Sequence, residues 1–264
     1  MINTKTFPNF WQGLLITPGI YFIIVIIGGA VTLAVIQFFG EGYNSQCFIN
    51  ELDSFTSLFF LPIIYYYYFK LGKFRVKSSK NWKNINVFIV FVIAVLLSII
   101  DSSFISMILK VDYSTLKSTN LRVGQLCLIF ITPAIEELLF RGVYFNSFIK
   151  QYKLHSAIVL SSVLFALSHM QIYFMHIEEM LLYFMIYLFS GIVLCLVYYK
   201  AGSLILAVLL HVFINLLSTL HMVFLENKII RFIHSNDLFL TKISMILISL
   251  FLIYILIKNI FYNK

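Results

Sequence analysis

The sequence predicts an all-α fold, a polytopic transmembrane helix bundle of about eight spans with both termini in the cytoplasm. Of the 264 residues, 61% are apolar and 11% are charged, and the mean hydropathy is +0.96. A soluble domain carries about 25% charged residues, so this composition excludes a water-soluble fold. Apolar runs of bilayer-spanning length recur from end to end, and basic residues collect in alternate loops. We therefore expect one integral membrane domain over residues 1–264.

Polar and charged breaks separate the apolar segments that we expect to be the spans. In chain order they cover 14–39, 47–69, 85–109, 122–149, 155–174, 180–199, 203–224 and 242–262. The first is too long for the core of a signal peptide and is expected to be retained. The second and sixth end in tyrosines just before lysines, which is typical of a membrane interface. The third and eighth are predicted from their hydropathy, and the seventh begins at a Gly-Ser pair. Ionisable residues lie within the third, fourth, fifth and seventh.

Charge distribution predicts the orientation. An even number of spans puts both termini on one side of the membrane. If that side is the cytoplasm, the inner segments carry basic and no acidic residues, including the run 70–83, whereas the outer loops hold more acidic than basic residues. The positive-inside rule favours this arrangement. The net charge of +8 thus reflects topology, so no nucleic-acid partner is expected. Membrane lipids are the expected partners, and the run 70–83 is interpreted mainly as a topogenic loop.

An adjacent pair of glutamates lies in the middle of the fourth span. Ionisable groups at membrane depth are costly and therefore mark functional candidates. Glu137 and Arg141 are four residues apart and share a helix face, so the guanidinium neutralises that carboxylate. Glu136 points about 100° away on a helix with about 3.6 residues per turn and stays available. A desolvated glutamate in this position is suited to act as a general base on water.

Two histidines and an asparagine lie at overlapping depths in later spans. At about 1.5 Å per residue, Glu136, His169 and Asn215 lie roughly 18–21 Å from the cytoplasmic end of their spans, and His211 lies about 12 Å from it. The spacing of His211 and Asn215 puts two donors on one helix face, which suits a developing oxyanion. Hydrolysis by activated water is therefore favoured, without a cofactor. Zinc remains an open alternative, although the HExxH pattern is missing.

These residues form three ordered motifs. They are EExxxR from Glu136 to Arg141, FxxxH from Phe165 to His169, and HxxxN from His211 to Asn215. In this respect the sequence resembles the CPBP family, also called Abi, of intramembrane glutamic-type proteases, which includes the type II CAAX prenyl endopeptidase. The resemblance covers about 121–224 and implies a catalytic core of four spans there.

The resemblance also implies a role for each motif residue. Glu136 and His169 would activate the attacking water, and His211 with Asn215 would stabilise the tetrahedral oxyanion. Glu137 and Arg141 would order the site, with Phe165 packed beside it. The implied activity is that of an intramembrane endopeptidase acting on a membrane-associated protein or peptide.

The same features leave other functions open. A non-catalytic membrane scaffold or a bacteriocin immunity protein could use the polar cluster to hold the bundle or a partner. A transporter is a third alternative, indicated by the additional span residue Asp101. Compact loops and residue usage favour a bacterial plasma membrane, where peptide maturation, immunity or signalling is expected more than the processing of prenylated proteins.

Overall fold

The computed structural model describes residues 9–17, 19, 30, 87–108, 123–170, 177–223 and 239–262. Almost all of these residues are helical, and no strand occurs among them, which confirms the all-α prediction. Residues 10–17 are helical. The other helices are α1 (Val87–Ile108), α2 (Val123–Glu137), α3 (Asn146–Gln151), α4 (Leu154–Ser168), α5 (Ile177–Ala201), α6 (Leu204–Val223) and α7 (Phe239–Tyr262). A π-helical segment, Leu138–Phe145, joins α2 to α3.

One helix in the described part of the chain, Met180–Ala201 within α5, is long and apolar enough to cross a bilayer by length and composition. The apolar stretches 88–100, 154–168, 204–220 and 246–256 are shorter. Most of the first two predicted spans and the whole basic run 70–83 lie outside the described residues. The number of spans and the cytoplasmic termini therefore stay predictions.

Helix α6 and the π-helical segment lie at the centre of the bundle. Helix α6 contacts α1, α2 and α5, while the π-helical segment packs against α4, α5 and α6. Helix α7 covers the other side of α1. This packing buries large side chains of the π-helical segment, among them Phe140, Tyr144 and Phe145. Polar residues that project from α2, α4 and α6 towards this centre are consequently brought together.

The π-helical segment is a feature that periodicity did not predict. The fourth span was expected to be a regular helix, but the backbone widens directly after the glutamate pair. Side chains donate to carbonyl oxygens of this segment: Ser161 Oγ to the oxygen of Phe140 at 2.9 Å, and Asn146 Nδ2 to that of Gly142 at 2.9 Å. Such π-helical turns are frequent at functional sites. Here the turn carries Arg141 into the bundle centre.

Helix α4 ends one residue before His169, whereas the fifth span was predicted to continue to 174. Ser168 Oγ donates to the carbonyl oxygen of Phe165 at 2.7 Å, and His169 Nδ1 lies 2.9 Å from the same oxygen. The backbone N–H of His169 bonds back to Ala166 at 3.1 Å, as in a tightened last turn. His169 is therefore a helix-terminal residue, and local side-chain bonds hold its ring.

Candidate active site

A buried ion pair forms the base of the site. Arg141 Nη1 donates to Glu137 Oε1 at 2.8 Å, and both side chains are 0% exposed. The predicted pairing of residues four apart is therefore present in the structure. His211 Nδ1 lies 3.0 Å from the same carboxylate oxygen. Glu137 thus links the guanidinium on the π-helical segment to the imidazole on α6.

Arg141 has further partners on α4 and α5. Its Nη2 donates to the carbonyl oxygen of Gly191 at 3.0 Å. Its guanidinium carbon lies 4.5 Å from the centroid of the Phe165 ring, a cation–π distance. Phe165 also meets Phe140 edge-on, with centroids 5.3 Å apart. These contacts fix the arginine by hydrogen bonds in one direction and by an aromatic face in another.

Glu136 faces the two histidines. Its Oε2 lies 3.6 Å from His169 Nε2 and 3.7 Å from His211 Nε2. These separations are longer than a direct hydrogen bond. The adjacent glutamates therefore do different things, since Glu137 binds Arg141 while Glu136 is directed at two imidazole nitrogens, as their helical offset predicts.

Exposure rises from the ion pair towards Glu136 and His169. The His211 side chain is 6% exposed, that of Glu136 12% and that of His169 19%, against 0% for the ion pair. An incoming molecule would consequently meet Glu136 and His169 first. Asn215 lies one turn beyond His211 on α6 and is half-buried.

The arrangement places a carboxylate and two imidazole nitrogens close enough to share a small molecule between them. In the described part of the chain, no group of three or more histidine, cysteine, aspartate or glutamate side chains is arranged to hold a metal ion. The Glu136 carboxylate and the imidazoles of His169 and His211 can accept protons from, or donate protons to, a small molecule that lies between them.

Two residues of α5 contact the site but were missed in the sequence. Tyr187 stacks on His169, with ring centroids 4.2 Å apart and an interplanar angle of 27°. Gly191 supplies the carbonyl for Arg141. Together with Tyr183 they recur every four residues along α5, a spacing that shares one helix face. That spacing is the signal in the sequence, but these residues carry no charge that would mark them as costly within a span.

Replacing Gly191 with alanine should destabilise the protein. A Cβ at this position would lie 3.0 Å from Ser162 Cβ and 3.2 Å from both Ser162 Cα and Phe165 Cδ1, so α4 and α5 would have to separate. We expect the free energy of unfolding to fall by about 1–3 kcal/mol, the usual cost of overpacking. Thermal unfolding in detergent measures it. Gly19→Ala is the matched control, because its added methyl meets no atom within 4 Å. Equal melting temperatures of the two variants would contradict the close packing.

Comparison with known families finds one match. Residues 118–217 match the family described as type II CAAX prenyl endopeptidase Rce1-like. The matched range contains all of the motif residues from Glu136 to Asn215. This result confirms the resemblance that the three motifs indicated. Neither the comparison with curated proteins nor that with solved structures gives a match.

Proposed function

We propose that this protein hydrolyses a peptide bond by activated water, because residues 118–217 match the Rce1-like family of type II CAAX prenyl endopeptidases, a family of membrane proteases. The substrate is a membrane-associated protein or peptide, and the protein is a multi-pass component of a bacterial plasma membrane. One observation carries the proposal: the Glu136 carboxylate lies within 3.6–3.7 Å of two imidazole nitrogens.

The hydrogen bonds of His169 define where water fits. The carbonyl oxygen of Phe165, 2.9 Å from Nδ1, can only accept, so Nδ1 carries the proton. A neutral imidazole then offers a lone pair at Nε2, opposite Glu136 Oε2 at 3.6 Å. Two acceptors at this distance do not bond each other, but one water molecule can donate to both. This water is the proposed nucleophile.

His211 has the same constraint from another partner. The Glu137 carboxylate accepts from Nδ1 at 3.0 Å, so a neutral His211 also has a lone pair at Nε2. Donation to an oxyanion requires a second proton on this ring. His211 is therefore proposed to act with both ring nitrogens protonated and Glu137 accepting from Nδ1, and Asn215 supplies a second donor one turn away. Glu137 is thus proposed to orient His211, while Arg141 holds Glu137.

In the proposed hydrolysis, His211 is protonated at both ring nitrogens from the start and keeps both protons, while the second proton of the water stays on the new carboxyl group. The water oxygen bonds to the carbonyl carbon of the scissile peptide while its proton passes to the Glu136 carboxylate, with His169 orienting the water. The oxygen of the tetrahedral intermediate accepts hydrogen bonds from His211 and Asn215. Collapse of the intermediate breaks the C–N bond, and the proton on Glu136 passes to the leaving amine. No metal enters the proposed reaction.

Comparative peptidomics of cells tests the function. Cells with Glu136→Ala or His169→Ala should accumulate an uncleaved precursor that wild-type cells convert, with equal protein levels. His155→Ala is the matched control, since His155 is an exposed residue at the other end of α4. The accumulated peptide would identify the substrate class.

The opposite outcome favours the scaffold or immunity interpretation. If the Glu136→Ala variant restores the cellular phenotype of a deletion strain and no peptide changes in abundance, the polar cluster acts without catalysis. Complementation and peptidomics on the same strains therefore separate the two functions.

A further inference from the structure

The orientation of the His169 ring is set by contacts with other residues and not by regular helix geometry. The residue follows the last turn of α4, at φ −94° and ψ 0°, so regular helix geometry does not fix its side chain. One anchor is the bond between Nδ1 and the carbonyl oxygen of Phe165 at 2.9 Å. A single hydrogen bond still allows the imidazole to rotate about the direction of that bond. Such a rotation would move Nε2 relative to Glu136.

A second anchor comes from α5. The Tyr187 ring stacks on the imidazole at 4.2 Å, while Phe165 lies on His169 at 4.5 Å and a 48° tilt. Tyr187 is itself stacked on Tyr183, with centroids 6.2 Å apart and an angle of 21°. The imidazole plane is therefore restricted by aromatic rings from two helices.

We propose that Tyr187 is a positioning residue whose ring holds the His169 imidazole at the orientation in which Nε2 faces Glu136. This inference rests on the proposed function, because His169 matters there as the group that orients water. The proposed action is through stacking, so Tyr187→Phe, which keeps the ring, tests it directly. A misplaced catalytic group costs up to about 100-fold in rate when the shift is near 1 Å.

Kinetics of three variants test the role. The substrate is the precursor peptide that accumulates in cells carrying Glu136→Ala. Tyr187→Leu should lower kcat by about 10- to 100-fold with KM changed less than twofold, and Tyr187→Phe should restore at least half of kcat. Tyr199→Leu is the matched control on the same helix, because Tyr199 is partly exposed and its ring meets Phe145. If Tyr187→Leu keeps its kcat, or if Tyr187→Phe loses as much, the ring does not position His169.

A spectroscopic measurement separates this inference from the proposed function. The ring protons of His169, assigned by comparison with His169→Gln in histidine-labelled protein, should be shifted upfield by the stacked tyrosine. The shift should decrease in Tyr187→Leu, where the Phe165 ring alone remains beside His169, and should stay near the wild-type value in Tyr187→Phe. If no precursor accumulates in cells, the proposed function fails and the resonance alone decides whether the stack exists. An unchanged resonance in Tyr187→Leu overturns the inference whatever the activity.

Discussion

Replacing Glu136 with glutamine should lower kcat by about 10²- to 10⁴-fold, the usual contribution of a general base. Glutamine preserves the volume of the side chain but cannot take a proton from water. Because Glu136 is bound to neither Arg141 nor Gly191, the change leaves the ion pair and its neighbours in place. The melting temperature in detergent should consequently stay near that of the wild type. Steady-state cleavage of the accumulated precursor measures the effect.

The same assay distinguishes a carboxylate-activated water from a metal-bound one. With purified protein, cleavage should persist in an excess of a zinc chelator, because Glu136 and His169 are proposed to accept both hydrogen bonds of the attacking water. Loss of activity that added zinc restores would contradict this mechanism. Retention of more than a tenth of kcat by Glu136→Gln would likewise exclude Glu136 as the base.

The helical character and the ion pair of the site could be predicted because both depend on short-range rules. The low charge content and long apolar runs predict helices, and a spacing of four residues predicts the pairing of Glu137 with Arg141. The angle between adjacent helical positions predicts that Glu136 and Glu137 face different partners. These rules apply within a single helix, and they therefore predict the ion pair and the direction of Glu136.

Features that depend on contacts between helices could not be predicted in the same way. The π-helical turn after Glu137 depends on donors from elsewhere, such as Ser161 on α4, bonding to the Phe140 carbonyl. The stack of Tyr187 on His169 depends on how α5 lies against α4. Neither Ser161 nor Tyr187 carries a charge at neutral pH, so neither has the costly charge that marks a candidate in a span. The partner atoms of His211 also follow from packing, because Glu137 lies 74 positions away in the sequence.

Replacing Arg141 with methionine should destabilise the protein by about 3–5 kcal/mol, the usual cost of removing one partner from a buried ion pair. Methionine keeps much of the arginine's length and apolar stem, but the Glu137 carboxylate is then left without its cation in a 0% exposed position. His211 would remain its one hydrogen-bonded neighbour in the described structure. Denaturant titration in mixed micelles measures the loss.

A double substitution shows whether the uncompensated charge causes that loss. In Glu137→Gln/Arg141→Met the carboxylate is absent, so the double variant should be more stable than Arg141→Met alone, although it carries one more change. If the double variant is less stable than either single variant, the loss of stability in Arg141→Met comes instead from packing around the Phe165 ring.

Activity of the Glu137→Gln variant then separates charge balance from catalysis. Glutamine removes the carboxylate that accepts from His211 Nδ1 at 3.0 Å, so the imidazole loses the acceptor that orients its Nε2 towards an oxyanion. We expect kcat to fall by about 10²- to 10³-fold, as on losing an oxyanion donor, even in the double variant whose stability is restored. Recovery of stability without recovery of kcat would identify the ion pair as the element that orients His211, whereas recovery of both would reduce it to a structural contact.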